Sequence, residues 1–284
     1  MNQPARAINQ LFDTLESRWE SQRGQRLVAN GLIVSFVIAF LVIEFSRQGW
    51  LSGWLATLIP TNHFYAVDFT FKLLLVWELA GLIFGLAHSV ANSVGKQIEI
   101  LSLILLRETF KEFTNFDEPI AWEQVQPALI PIVAEALGAL VIFVLVGFYY
   151  RVQRHRPLTD NTQGRASFVT TKKFIALGLL VAFLALGLYS IQQYFLARRN
   201  VAFFENCYTV LIFADVLLVF VALRYASTYV IVFRNSGFTI ATVLIRLALI
   251  APPPFNALLG IGSALFALGL TVAYNRFLPE LVDQ

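Results

Sequence analysis

The sequence predicts an all-α fold, a polytopic transmembrane helical bundle of about eight membrane segments, and three observations carry that prediction. Of the 284 residues 57% are hydrophobic and only 14% charged, with a mean hydropathy of +0.67, a balance foreign to a soluble domain of this length. The apolar residues gather into runs close to the roughly 20 that cross a bilayer as a helix. Lys and Arg punctuate those runs instead of forming a stripe with aromatic residues, so the net charge of +3 reports topology and speaks against a nucleic-acid partner.

Residues 1–26 form an N-terminal amphipathic or juxtamembrane segment. Leu11, Leu15 and Trp19 recur every four residues, among Arg6, Arg18, Arg23, Arg26, Asp13, Glu16 and Glu20. The acids and the lack of a small-residue cleavage site argue against a signal peptide, so the segment is expected to stay on the chain, along the membrane surface or as a solvated helix. Residues 27–150 make a first four-helix half, with clear spans at 27–45, 69–94 and 128–150 and a shorter segment at 98–113 carrying Glu99, Arg107, Glu108, Lys111 and Glu112. Residues 151–173 are a polar, basic inner linker with turn formers, suited to hold anionic lipid or simply to anchor topology. Residues 174–284 make the second half, with spans at 174–195, 203–229 and 255–274 and a shorter segment at 238–251 carrying Arg246. The two short segments fall below spanning length and read as tilted, half-spanning or interfacial helices.

Charge decides their number. With eight crossings and both termini inside, fourteen Lys and Arg lie on the inner side, against Arg47, Lys72, Lys111, Arg198 and Arg199 outside. If 98–113 did not cross, the basic linker would be delivered outside. The expected home is a bacterial cytoplasmic (inner) membrane.

The count exposes an internal repeat. VWELAGLIFGLAH followed by VGKQIEILSLILLRETF in one half parallels FADVLLVFVALRY followed by SGFTIATVLIRLALI in the other. An acid on the second helix precedes an arginine on the third by 29 residues (Glu78, Arg107) and by 31 (Asp215, Arg246), and prolines follow both. Two halves of equal orientation imply a pseudo-twofold axis along the membrane normal. Turns are expected near Gly95 and Gly237, with Gly and Ala inside the apolar runs serving close helix packing.

Glu78, His88, Glu99, Arg107, Glu135, Asp215, Arg224 and Arg246 are the candidate intramembrane polar residues. An isolated charge in hydrocarbon costs at least about 2.5–3.5 kcal/mol, so each needs a partner, water or protein around it. Glu78 with Arg107 and Asp215 with Arg246 are the natural pairs, serving either a solute path or the bundle's cohesion. His88 suits a proton-carrying role or a plain interhelical hydrogen bond. Arg224, Arg234 and Arg246 lack the three-residue spacing of a voltage sensor. One cysteine, scattered histidines and the absence of dinucleotide, Walker or GxSxG patterns point away from cofactors, metals and an enzyme.

LRYASTYVIVFRNSGFTIATVLIRLALI, residues 223–250, and by analogy HSVANSVGKQIEILSLILLRETF, residues 88–110, resemble the small four-helix phosphate-starvation-inducible membrane protein family. The resemblance implies a four-helix unit in a cytoplasmic membrane and carries over Arg224 and Arg246, with Arg107 as the counterpart in the other half. The leading functional expectation is a channel or transporter for a small ion or polar solute. The alternative is a non-transporting membrane scaffold or stress-response component that binds another protein. Membrane lipids and a second copy of the chain are the expected partners.

Overall fold

A computed structural model describes residues 3–50, 53, 59–88, 90–153, 162–197, 201–224 and 229–282, and the regular structure among them is helical. The elements are α1 (Gln3–Trp19), α2 (Gln22–Arg47), α3 (Phe64–Gly85), α4 (Val90–Lys111), α5 (Trp122–Val152), α6 (Thr162–Gln192), α7 (Phe203–Leu223), α8 (Tyr229–Ile250) and α9 (Phe255–Val282). A 3₁₀ turn, Glu112–Asn115, extends α4, and a π turn, Gln193–Ala197, extends α6. Ser21 caps α2, its hydroxyl accepting the Gly24 N–H at 3.0 Å.

Among the described residues, six helices are long and apolar enough to cross a membrane: α2, α5, α6 from Ser167, α7, α8, and α9 up to Arg276. The protein is therefore a multi-pass membrane protein, and the outward faces of these helices carry large apolar residues such as Ile130, Leu184, Leu188 and Phe213, as hydrocarbon contact requires.

The six differ from the six clear runs in the sequence. The 69–94 run breaks at the turn Leu86–His88, and α3, with Asp68, Lys72 and Glu78, is too charged to count. The 238–251 segment extends back to Tyr229, and the 22 residues of α8 rise about 33 Å, enough to span. The segment at 98–113 likewise extends back to Val90. Run boundaries misled because hydropathy stops at polar residues such as Gln97, Arg234 and Asn235, whereas these helices continue through them with the polar residues buried. Residues 154–161 of the basic linker lie outside the described residues.

Successive helices alternate in direction. α1 gathers at one end with the α3–α4 turn, the end of α5 and the start of α6: Asn9 Nδ2 donates to Thr170 Oγ1 at 3.2 Å, Lys173 Nζ to Asp13 at 2.5 Å, and the Tyr149 hydroxyl to the Ala91 carbonyl at 2.7 Å. At the far end Arg47 of α2, His63 before α3 and Glu118 after α4 come together. One core lies among α4, α5, α8 and α9, with Ile98, Leu101, Ile142, Phe238 and Ile245 at its centre. A second lies among α1, α3, α6 and α7, with Phe12, Leu79, Phe84, Ala176 and Leu211.

Gly95 and Gly237 are not turn residues. Both sit inside helices, where a Cβ would lie 2.7 Å from the Tyr150 ring and 2.6 Å from Leu270, so each glycine admits a bulky side chain of the next helix. The N-terminal stripe is also displaced: Leu11 and Leu15 are exposed, and Phe12 is the fully buried anchor, with Trp19 stacked on Trp77. α1 therefore docks edge-on through Phe12, leaving the leucines facing an open apolar groove against α2 and α6.

Candidate functional site

Glu78 stands 7 residues before the end of α3 and Arg107 stands 17 into α4; in the other pair Asp215 stands 8 before the end of α7 and Arg246 17 into α8. That mismatch in depth, about 14 Å at 1.5 Å per residue, closes because helical side chains lean toward their own N-terminus. On antiparallel neighbours the arginine leans back toward the connecting turn and the carboxylate leans away from it.

The two pairs meet differently. Arg107 donates through both terminal nitrogens to the two oxygens of Glu78, a bidentate pair with side chains 16% and 12% exposed. Arg246 and Asp215 are 0% and 3% exposed, with Nε 3.8 Å from Oδ2, and neither Asp215 Oδ2 nor any Arg246 nitrogen has a hydrogen-bond partner.

Three cavities with charged and polar side chains in their walls follow α4 along its length; α7 and α8 line the first two of them but not the third. The far-end cavity, about 370 Å³, is walled by Asp68, Lys72, Arg107, Glu108, Lys111, Glu205 and Tyr208 and closed by Pro252 and Pro253. A central crevice of about 40 Å³ is lined by Ser93, Gln97, Lys172, Asp215, Asn235 and Thr242. The α1-end cavity, about 600 Å³, holds His88, Asn92, Lys96, Glu99 and Tyr150 beneath Trp19 and Trp77. Ser93 and Gln97 border both of the latter, and Gln97 Nε2 donates to Ser93 Oγ at 3.1 Å. Tyr208 and Asp215, two turns apart on one face of α7, mark where the far-end cavity stops and the crevice begins.

The other candidates distribute around this path. His88 sits on the α3–α4 turn, 3.6 Å from Glu16 of α1. Glu99 lines the α1-end cavity, 3.9 Å from Lys96. Glu135 is buried between α5 and α9 and accepts a 2.8 Å hydrogen bond from Asn256 Nδ2, whose residue borders the far-end cavity. Arg224 is exposed at the end of α7 and, among the described residues, forms no ion pair and lines none of these three cavities.

Lys172 is the residue that sequence reasoning missed, having counted it among the linker's charges. It is 4% exposed, donates to the His88 carbonyl and lies 5.5 Å over the Phe168 ring. The signal was present: Phe168, Lys172, Ala176 and Leu179 share one buried helical stripe.

Two ionisable groups outside the spans are shifted. Burial works to raise the Glu118 carboxyl, but hydrogen bonds from the His63 ring and backbone N–H, both 2.8 Å, with the charges of His63 and Arg47, outweigh it and hold the group below its ordinary value. Glu16 moves the other way: burial raises it, His88 and Lys173 pull it down, and Glu20 and Asp13 push it further up. Among the described residues no cluster of His, Cys, Asp and Glu is placed to hold a metal. Comparison with protein-family models, with curated proteins and with solved structures finds no match for this chain.

Proposed function

We propose that the chain conducts a small ion or polar solute across a bacterial cytoplasmic membrane, along the seam between α4, α7 and α8. One observation carries the reading: cavities with charged and polar side chains in their walls lie toward both ends of the bundle, with the buried Asp215–Arg246 pair between them. Ionisable groups so deep in an apolar bundle are costly, and lining a solute path is the use for which that cost is most often retained.

The reading includes eight crossings in two four-helix halves. α3 and α4 are too charged to qualify on apolarity, but they alternate with their neighbours and run between the same two ends. The repeat is supported by matching contacts: α2 on α3 and α6 on α7, α3 on α4 and α7 on α8, α4 on α5 and α8 on α9, while α4 meets α8 and α5 meets α9 across the presumed axis. Gly95 and Gly237 match as well. The likeness of 223–250 to the phosphate-starvation-inducible family fits this reading, because it makes one half the duplicated unit. Both termini then lie in the cytoplasm, with the basic linker at the inner leaflet.

Reconstitution into sealed liposomes under imposed ion and pH gradients tests it. Protein-dependent flux that Arg224→Gln leaves and Asp215→Ala abolishes or deregulates is the expected result. A folded, inserted protein that passes nothing under any gradient moves the weight to the scaffold reading.

A further inference from the structure

We propose that Arg246 is an anion site and that the transported species is a small monovalent anion of the halide, nitrate or formate class. The inference rests on the transport reading above and narrows it.

Arg246 is fully buried, yet Nε, Nη1 and Nη2 all lack hydrogen-bond partners. A guanidinium offers five N–H donors in a rigid plane and is always charged. Its one ion-pair partner, Asp215, is 3.8 Å away, beyond hydrogen-bond reach. The contrast is with Arg107, whose fork is filled by both oxygens of Glu78. Buried donors without acceptors are among the most costly features a fold can carry, so the vacant fork calls for an acceptor from outside the chain.

Charge sets the sign of that acceptor. Lys172 and Asp215 line the same crevice; Arg246 is not in its wall but lies against Asp215, its Nε 3.8 Å from Oδ2, so an ion entering beside Asp215 has two cations and one carboxylate around it, in space with little solvent. The other fully buried acid among the described residues, Glu135, belongs to α5 and is engaged by Asn256. One monovalent anion brings this group to neutrality, whereas a cation entering it meets Arg246 and Lys172 with a single carboxylate to offset them. Volume sets the size. About 40 Å³ of crevice compares with roughly 10–15 Å³ for one water, leaving room for a small ion with few waters and none for a sugar or a phosphate ester.

The test pairs binding with flux. In detergent, thermal unfolding is followed in sodium chloride, nitrate and formate against sodium sulfate at matched ionic strength. In proteoliposomes, chloride and nitrate flux are measured beside potassium flux. The monovalent anions are expected to raise the melting temperature where sulfate does not, and to be the ions that pass. Asp215→Asn keeps the volume and removes the competing carboxylate, so apparent anion affinity should rise on the order of tenfold. Arg246→Gln should abolish the anion dependence; should that variant not fold, the Asp215→Asn shift decides alone. Potassium flux without anion flux, or anion stabilisation unchanged in Asp215→Asn, overturns the anion site and leaves transport standing. Anion-specific stabilisation without flux of any ion keeps the site and overturns transport.

Discussion

Replacing Arg246 by Met removes the charge while roughly keeping the volume, and leaves Asp215 buried without a counter-ion. At 3.8 Å and an effective dielectric near 20, the attraction lost is about 4 kcal/mol. Since both side chains are nine-tenths buried or more, desolvation of the intact pair offsets several kcal/mol of that attraction, so the pair's net worth is small while the penalty for half a pair is large. Arg246→Met is therefore expected to lower unfolding free energy by about 3–5 kcal/mol. Adding Asp215→Asn should restore more than half of the loss, because no uncompensated charge remains. The assay is reversible unfolding in mixed micelles titrated with denaturing detergent, read by far-ultraviolet circular dichroism across the full double-mutant cycle. A loss below about 1 kcal/mol in the single variant, or a double variant equal to the sum of the singles, would refute the reasoning, since either means water or movement already solvates Asp215.

At the α5–α9 crossing, a Cβ on Gly138 would lie 2.6 Å from that of Ala257, so Gly138→Leu should cost about 1–3 kcal/mol or more in the same assay; Gly262→Ala, with nothing within 4 Å, should be neutral or slightly stabilising. Because Glu118 is held below its ordinary value near 4.5, its contribution is present above that value and lost as pH falls through the lower one, so wild type should weaken on acidification while Glu118→Gln shows a flatter melting profile. Glu16, being raised, has the opposite sign: its contribution is full below 4.5 and lost as pH rises through the higher value. The groups facing it are Asp13 on α1, Glu20 just after it, His88 on the turn and Lys173 on α6, and spin labels at Asn9→Cys and Thr170→Cys should report α1 drawing away as pH rises, an effect that Glu16→Gln removes.

The helical class and the membrane setting were legible because composition and run length report directly on the solvent a chain must face. The acid–arginine spacing was legible too, since a charge in hydrocarbon narrows the choice of partner to the neighbouring helix. Helix limits were not. Hydropathy averages all faces of a helix, so Gln97, Arg234 and Asn235 fell between the apolar runs when they are buried polar residues of α4 and α8. Gly95 and Gly237 were misread for a related reason: a glycine that admits Tyr150 or Leu270 is indistinguishable in sequence from one that permits a turn. Lys172 was lost to the habit of assigning every lysine near a span end to the interface, although its stripe with Phe168, Ala176 and Leu179 pointed inward.

On the proposed two-half reading, the equivalent pairs have diverged in a way that divides the work. Glu78 and Arg107 satisfy each other through two hydrogen bonds while Arg107 still borders the far-end cavity, so this pair fixes α3 against α4 and forms a wall of the entrance. Asp215 and Arg246 lie deeper, farther apart and unsatisfied. Asp215 is one methylene shorter than Glu78, which widens the gap, but a pair that served only to hold helices together would not leave all three nitrogens of a fully buried guanidinium without acceptors. The open pair therefore reflects what the second half must accommodate: an acceptor that comes and goes. It follows that Glu78→Gln with Arg107→Met should lower stability while leaving ion selectivity nearly unchanged, whereas Asp215→Asn should change ion selectivity, and the stability cost of its broken pair should shrink as a monovalent anion is added. The two measurements on each variant together decide whether the asymmetry is functional.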